Sequence, residues 1–320
     1  MPRLIKLTKI NLTPWEISLV VLIVASLLAG KLFSENFLTS SNLGTSISST
    51  VIVALMIVPM TWLIIAGEID LSVASIFGLS AVTLAYLLEK GLGFWLSLVV
   101  ALTVAGLAGF INGLLVVKLN LPSLVVTIGT LGLFRGLAYI LLEYRSFSDF
   151  PTYFTDFSQN NFGSSPFAYT SLPCAIGILI SAIYLSKGVI GRRIYAIGSN
   201  QAVSLFSAIR TGRIRIGLFV FSGLVSGVAG ILFAGYTNSA RANNGAGLEL
   251  SIIAIVLIGG VSMYGGQGSF LGVLLAYILV TALTSLMNLF YVSSSIQYTL
   301  IGSLMIASVA IPKILSKRIH

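Results

Sequence analysis

Chemistry has few places to sit in this 320-residue sequence. It holds nine Asp and Glu residues, one His and one Cys. The single His320 and the single Cys174 exclude a His-based metal site, a catalytic His relay and an internal disulfide. No Gly-x-x-x-x-Gly-Lys-Ser/Thr stretch occurs, since the Gly30-Lys31 pair runs on into Leu32. Gly266-Gln267-Gly268-Ser269 lacks the preceding strand and the later acid that give a dinucleotide loop its meaning. No His–Glu or Cys–Cys pair fits zinc. The chain is therefore expected to bind no cofactor and to catalyse no reaction by itself.

The chemistry-bearing residues that remain are polar groups set among apolar neighbours. Arg135, in Thr130-Leu131-Gly132-Leu133-Phe134-Arg135-Gly136, lies well inside an apolar run. An ionisable group at membrane depth is costly and so is a functional candidate. Two readings stand level: it faces a polar cavity or neighbouring helix, or it snorkels or bonds a backbone carbonyl. Glu68 and Asp70 lie between two apolar runs, in Ala66-Gly67-Glu68-Ile69-Asp70-Leu71-Ser72. Asp70 and Ser72 read first as caps of the helix that follows, because a side-chain oxygen there satisfies orphan N–H groups. Glu68 has no such role and reads as lining a polar interior. Asn112 and Asn288 each sit in an apolar run and read as interhelical hydrogen-bond partners. These five residues form the candidate translocation path.

The elements that must position them follow from composition. Hydrophobic residues make up 57% of the chain and charged residues 8%, with a mean hydropathy of +1.03. A soluble domain carries about 25% charged residues, so hydrocarbon is the solvent for much of this chain and it reads as an integral membrane protein. Apolar runs at about 15–33, 47–66, 72–88, 92–117, 122–142, 169–186, 214–236, 249–264, 269–290 and 296–312 predict about ten transmembrane helices. The runs are continuously apolar rather than alternating, which favours helices over a barrel. The predicted fold is all-α and polytopic, one domain over 1–320. The longest polar gaps, about 143–168 and 187–215, are too short for a second domain.

Orientation follows from Lys and Arg. With the N-terminus inside, the inner segments hold Arg3, Lys6, Lys9, Lys118, Lys187, Arg192, Arg193, Arg210, Arg213, Arg215, Lys313, Lys317 and Arg318. The outer side keeps Lys31, Lys90, Arg145 and Arg241, together with Glu35, Glu89, Glu143, Asp149 and Asp156. The expected topology is N-in and C-in. The net charge of +9 is then a matter of topology, and no nucleic-acid partner is expected. Gly rows such as Gly106, Gly109, Gly113 and Gly223, Gly227, Gly230 let helix backbones approach closely, first within one subunit and alternatively at a dimer seam.

In the inner segment 187–215, Asn200 caps a predicted short helix with Val203, Phe206 and Ile209 as an apolar stripe. An Arg-flanked amphipathic helix of this kind has three uses: on anionic lipid, which composition slightly favours, on its own bundle, or in a partner's groove.

At this segment the sequence resembles the membrane permease subunits of ribose-type sugar ATP-binding-cassette importers, over nearly its whole length. The family's Gly-Gly-Ile-Asp-Leu-Ser-Val-Gly-Ser stretch is matched by Gly67 to Ser75, with Glu68 and Ala74 as departures. Asn112-Gly113, Pro122, Thr127-Ile128-Gly129-Thr130 and Arg135-Gly136 follow in order, then Gly191 to Asn200 and Gly259 to Ser269. Ser239 to Gly245 and Tyr264-Gly265-Gly266 are most similar to permeases for rhamnose and autoinducer-2, and the tail segments Val292 to Ser295 and Ile306 to Pro312 lean towards rhamnose.

The resemblance implies a bacterial inner-membrane permease. It implies a periplasmic sugar-binding protein docked on Glu143 to Tyr169, a second permease, and two ATPase subunits that use ATP and Mg. It makes Gly191, Arg192, Gly198, Asn200, Val203, Phe206, Ser207 and Ile209 the coupling residues, with Asn200 to Ile209 seated in an ATPase groove. Gln201-Ala202, Val203-Ser204 and Ala208-Ile209 depart from the family pattern there. The rival readings are a self-contained carrier driven by H⁺ or Na⁺, and a non-transporting anchor or sensor. A proton relay tends to need acids within spans, whereas here they lie at span ends.

Overall fold

The computed structural model describes residues 12–163, 165–207 and 209–316. Arg3, Lys6, Lys9, Ala208, Lys317, Arg318 and His320 lie outside the described residues. Thirteen helices make up the described chain: α1 (Pro14–Phe33), α2 (Ser40–Ile65), α3 (Val73–Glu89), α4 (Phe94–Lys118), α5 (Ser123–Leu142), α6 (Thr152–Gln159), α7 (Ser171–Lys187), α8 (Val189–Ser199), α9 (Gln201–Phe206), α10 (Thr211–Thr237), α11 (Leu248–Ile258), α12 (Phe270–Leu289) and α13 (Ser294–Ser316). The extended pairings among the described residues are two isolated bridges, Phe147 with Ala240 and Asn161 with Ala168. Helices dominate because a backbone in hydrocarbon must satisfy its N–H and C=O groups within its own segment.

Six described helices (α1, α2, α4, α5, α10 and α12) are long and apolar enough to cross a membrane, and α7 with α8, which bend by 65° at Gly188, would add a seventh if the two form one span. α3 and α11 are apolar but shorter, at 17 and 11 residues. Each adjoins irregular, Gly-containing chain: 66–72 before α3, and 238–247 and 259–269 on either side of α11. The apolar run read at 249–264 is thus a helix that stops at Ile258, where Gly259 begins a loop.

α10 is the hub, packing on α4, α3 and α2, while α3 also packs on α4 and α5. Its small-residue row makes this possible. A Cβ on Gly223 would strike the Ala105 carbonyl of α4, and one on Gly230 would strike the Phe77 carbonyl of α3. The Gly rows therefore serve close packing inside one chain. α2 is buried along most of its length and joins this group to α7, α11 and α12. α1 packs chiefly on α12 and starts with a capping box: Thr13 accepts from the Glu16 N–H while Glu16 accepts from the Thr13 N–H. Trp15 Nε1 donates to the Ile258 carbonyl at 2.9 Å and fixes α1 to the end of α11.

Candidate functional site

The helix ladder stops at Ile65, and the chain runs irregularly from Ala66 to Ser72 before α3 begins. Irregular backbone survives at membrane depth only where protein groups satisfy it. Here α5 supplies them: Ser123 Oγ accepts from the Ile69 N–H at 3.1 Å, and Thr127 Oγ1 donates to the Ile69 carbonyl at 3.2 Å.

The two acids of the break point to α10. Glu68 Oε1 accepts from Arg215 Nε at 2.6 Å and lies 2.5 Å from its Nη2, with both residues buried. Asp70 is fully buried. Its Oδ1 accepts from the N–H of Ser72 at 3.0 Å and from its hydroxyl at 2.6 Å, and its Oδ2 accepts from Ser222 Oγ at 2.9 Å. Ser72 is the N-cap residue of α3 but makes no side-chain cap bond. The capping expected of Asp70 and Ser72 is accordingly of another kind, with Asp70 holding the cap residue and tying it to α10. Asn112 of α4 completes the knot, its Nδ2 donating to Ser72 Oγ at 2.7 Å. Four helix elements thus meet through one small set of charged and hydroxyl groups.

Arg135 does not join this knot. Its Nη1 donates to the carbonyls of Ala242 at 2.6 Å and Asn244 at 2.7 Å, and its Nη2 donates to that of Ala74 at 3.1 Å. Of the two readings left open, the backbone-carbonyl one describes the geometry: α5 uses Arg135 to hold segment 238–247 against α3. Asn288, exposed on α12, accepts from Gln297 Nε2 of α13 at 2.8 Å. None of Glu68, Asp70, Asn112, Arg135 and Asn288 lines any of the five cavities described in this conformation.

Arg215 escapes a reading of the sequence, which counts it with the loop cations. It stands on the face of α10 that continues through Leu218, Phe219 and Ser222, all buried. Arg213, two residues earlier and about 200° around the helix, faces solvent. The 3.6-residue period of the buried face was the signal that separates them.

The segment 187–215 contains more helix than its Gly content suggests. α8 carries Gly191, Ile194 and Ile197 inward. Gly191 lies against the Leu185 carbonyl, and Gly198 lies so close to the Ile65 carbonyl that a Cβ could not fit. The Gly266 N–H donates to that same Ile65 carbonyl at 2.8 Å, so α8, the end of α2 and the loop 259–269 meet at one point. Positive φ at Gly265 (80°) and Gly266 (72°) gives the loop the left-handed turn this contact needs. Asn200 Oδ1 accepts from the Val203 N–H at 3.1 Å and caps α9. Val203 and Ser207 are exposed, Phe206 is 92% exposed, Ile209 is half-buried and Ser204 is the buried residue of α9. Arg192 Nη1 donates to the Lys187 carbonyl at 3.2 Å.

A helix tip that projects an unburied aromatic and is wedged at its root into the central break is the form of a lever. Residues 42–309 match the family described as branched-chain amino acid transport system / permease component. The chain belongs to that permease family. This permease is also 32% identical over 301 residues to the autoinducer 2 import system permease protein LsrD of Escherichia coli K12, covering 92% of this chain and 91% of that one. The same figures hold for the LsrD protein of Shigella flexneri. No solved structure matches. The chain is a multi-pass membrane transport protein.

Proposed function

We propose that this permease is the membrane-spanning subunit of an ATP-driven importer in a bacterial inner membrane, moving a sugar or sugar-like solute. Rhamnose, a ribose-type aldose and autoinducer-2 are the candidate solutes, the last being what the relatives' names specify. The chain crosses the membrane ten times, N-in and C-in, with α3, α11 and the bent α7–α8 pair among its passes. A periplasmic binding protein delivers the solute to the aromatic surface around α6, a second permease completes the path, and ATPase subunits supply ATP and Mg.

The observation that carries this reading is the lever. Phe206 is presented to the partner, Gly198 presses on the Ile65 carbonyl, and Glu68 follows three residues later, paired with Arg215 at the start of α10. A push on α9 thereby reaches the break at 66–72 through backbone contact alone. Glu68, Asp70 and Asn112 take part in translocation as the joint that this push works. The engagement of both acids in bonds speaks against a proton carrier, which needs an acid free to titrate.

Co-purification in mild detergent, then ATP hydrolysis in liposomes, tests the assignment. Recovery of an ATPase, with hydrolysis stimulated by a sugar-loaded binding protein, is the expected result. Solute uptake driven by an ion gradient with the chain alone would overturn it.

A further inference from the structure

We infer that the partner groove that receives α9 is rimmed by carboxylates, and that Arg193, Arg210 and Arg213 recognise them. The inference rests on the reading that α8, α9 and α10 face an ATPase. Arg193, Arg210 and Arg213, with Ser207, Ile209 and Ile214, enclose a hollow of about 580 Å³ between α8, α9 and the start of α10. All three arginines are exposed. Neither of the two ion pairs found among the described residues involves them, since those join Arg215 to Glu68 and Arg145 to Glu89. The sequence also contains no Asp or Glu between Asp156 and Glu249, so this part of the chain offers no acid of its own to compensate them.

Three like charges around one hollow repel, and an anionic occupant turns that repulsion into binding. Guanidinium forks match carboxylates in pairs of parallel hydrogen bonds, which gives the contact geometry as well as charge. The occupant is a protein rather than a lipid surface for two reasons. α9 offers three exposed apolar side chains, Val203, Leu205 and Phe206, a small area for an interfacial helix, whose binding scales with the apolar area it buries. Beside the hollow, the aromatic anchor Phe206 is 92% exposed and flanked by exposed Val203 and Leu205. An aromatic anchor surrounded by arginine is the composition of a protein interface centre. The partner groove therefore has an apolar slot for Phe206 and at least two acidic side chains beside it.

Binding of the co-purified ATPase subunit to the permease in nanodiscs of zwitterionic lipid, at low and high salt, tests this. The variant R193Q/R210Q/R213Q is expected to bind about tenfold more weakly at low salt, as three partly exposed pairs together supply. It is also expected to lose most of the salt dependence, because screening no longer has pairs to weaken. R193K/R210K/R213K keeps the salt dependence and shows that the surface still folds. F206A weakens binding at every salt concentration with the wild-type slope. Wild-type affinity and slope in the triple Gln variant would overturn the inference. So would unchanged ATPase binding accompanied by lost adsorption to vesicles of anionic lipid, which makes the hollow a headgroup site. If the wild-type chain binds no ATPase at any salt concentration, the importer reading falls and this inference falls with it.

Discussion

Replacing Glu68 by Gln keeps the shape of the side chain and removes its charge, leaving Arg215 charged in the bundle with an amide for a partner. The side chains of Glu68 and Arg215 are 7% and 11% exposed, and two of the three guanidinium nitrogens, Nε and Nη2, reach one carboxylate oxygen. Water therefore screens little of the attraction, and little water replaces a lost partner. Breaking one side of a buried pair costs about 3–5 kcal/mol, mostly the penalty of the charge left behind, whereas replacing both sides with apolar residues of similar volume is close to neutral. Glu68→Gln and Arg215→Gln are each expected to lose about 3–5 kcal/mol. E68M/R215M is expected to lie within about 1–2 kcal/mol of the parent, far from the sum of the two single losses. Reversible unfolding in mixed micelles measures all three, with solute uptake as a second readout. Single variants within about 0.5 kcal/mol of the parent, or a double variant equal to the sum of the singles, would refute the reasoning. Either result would mean that the pair is not a desolvated bond holding α10 to the break.

Gly198→Ala places a methyl group against the Ile65 carbonyl; the permease is expected to assemble and bind its ATPase while losing most solute-stimulated hydrolysis, which a liposome assay reads. Arg135→Leu strips the loop carbonyls of Ala242 and Asn244 of their donor, while that of Ala74 keeps its bond within α3; at about 1–3 kcal/mol for each of the two left unpaired, the variant is expected to lose compactness, seen as protease cleavage within 238–247. At the outer end of α3, a hydrogen bond from Arg145 holds the Glu89 carboxyl below its usual range. A lowered folded value means that this contact stabilises above the ordinary carboxylate pKa and is lost as pH falls through the folded one, so acid is expected to free the 143–150 segment in the parent but to change nothing in Arg145→Gln, as hydrogen exchange would record.

The helices were legible because continuous apolar runs state where hydrocarbon must be met. The break at 66–72 was legible too, since Gly67, Glu68 and Asp70 interrupt an apolar stretch with groups that demand partners. The identity of those partners was not. Arg215 and Arg213 look alike in a list of cations, and only the turn of α10 sends one inward and the other to solvent. The sequence marks no helix at α8, where Gly191 and Gly198 lower helix propensity, yet both glycines are what lets its backbone reach the carbonyls of Leu185 and Ile65. Contacts of that kind are made by missing side chains, and a pattern of side chains does not announce them. The stretch 259–264 reads as part of a span by hydropathy, although the glycines and positive φ angles of 259–269 make it a loop.

The anchoring of α1 has a consequence for how the molecule is made. α1 precedes the other described helices in the chain, but its packing surface is α12 and its indole anchor is Ile258, 243 residues further along the chain. At synthesis rates of about 5–20 residues per second, it waits roughly 12–50 s for that partner to be translated. The elements that hold the buried acids, α2 to α5 and α10, all precede α12 in the chain and are complete before α1 has its partner. α1 therefore cannot take its place until α12 has been made, so its docking is a late step that depends on the second half of the chain.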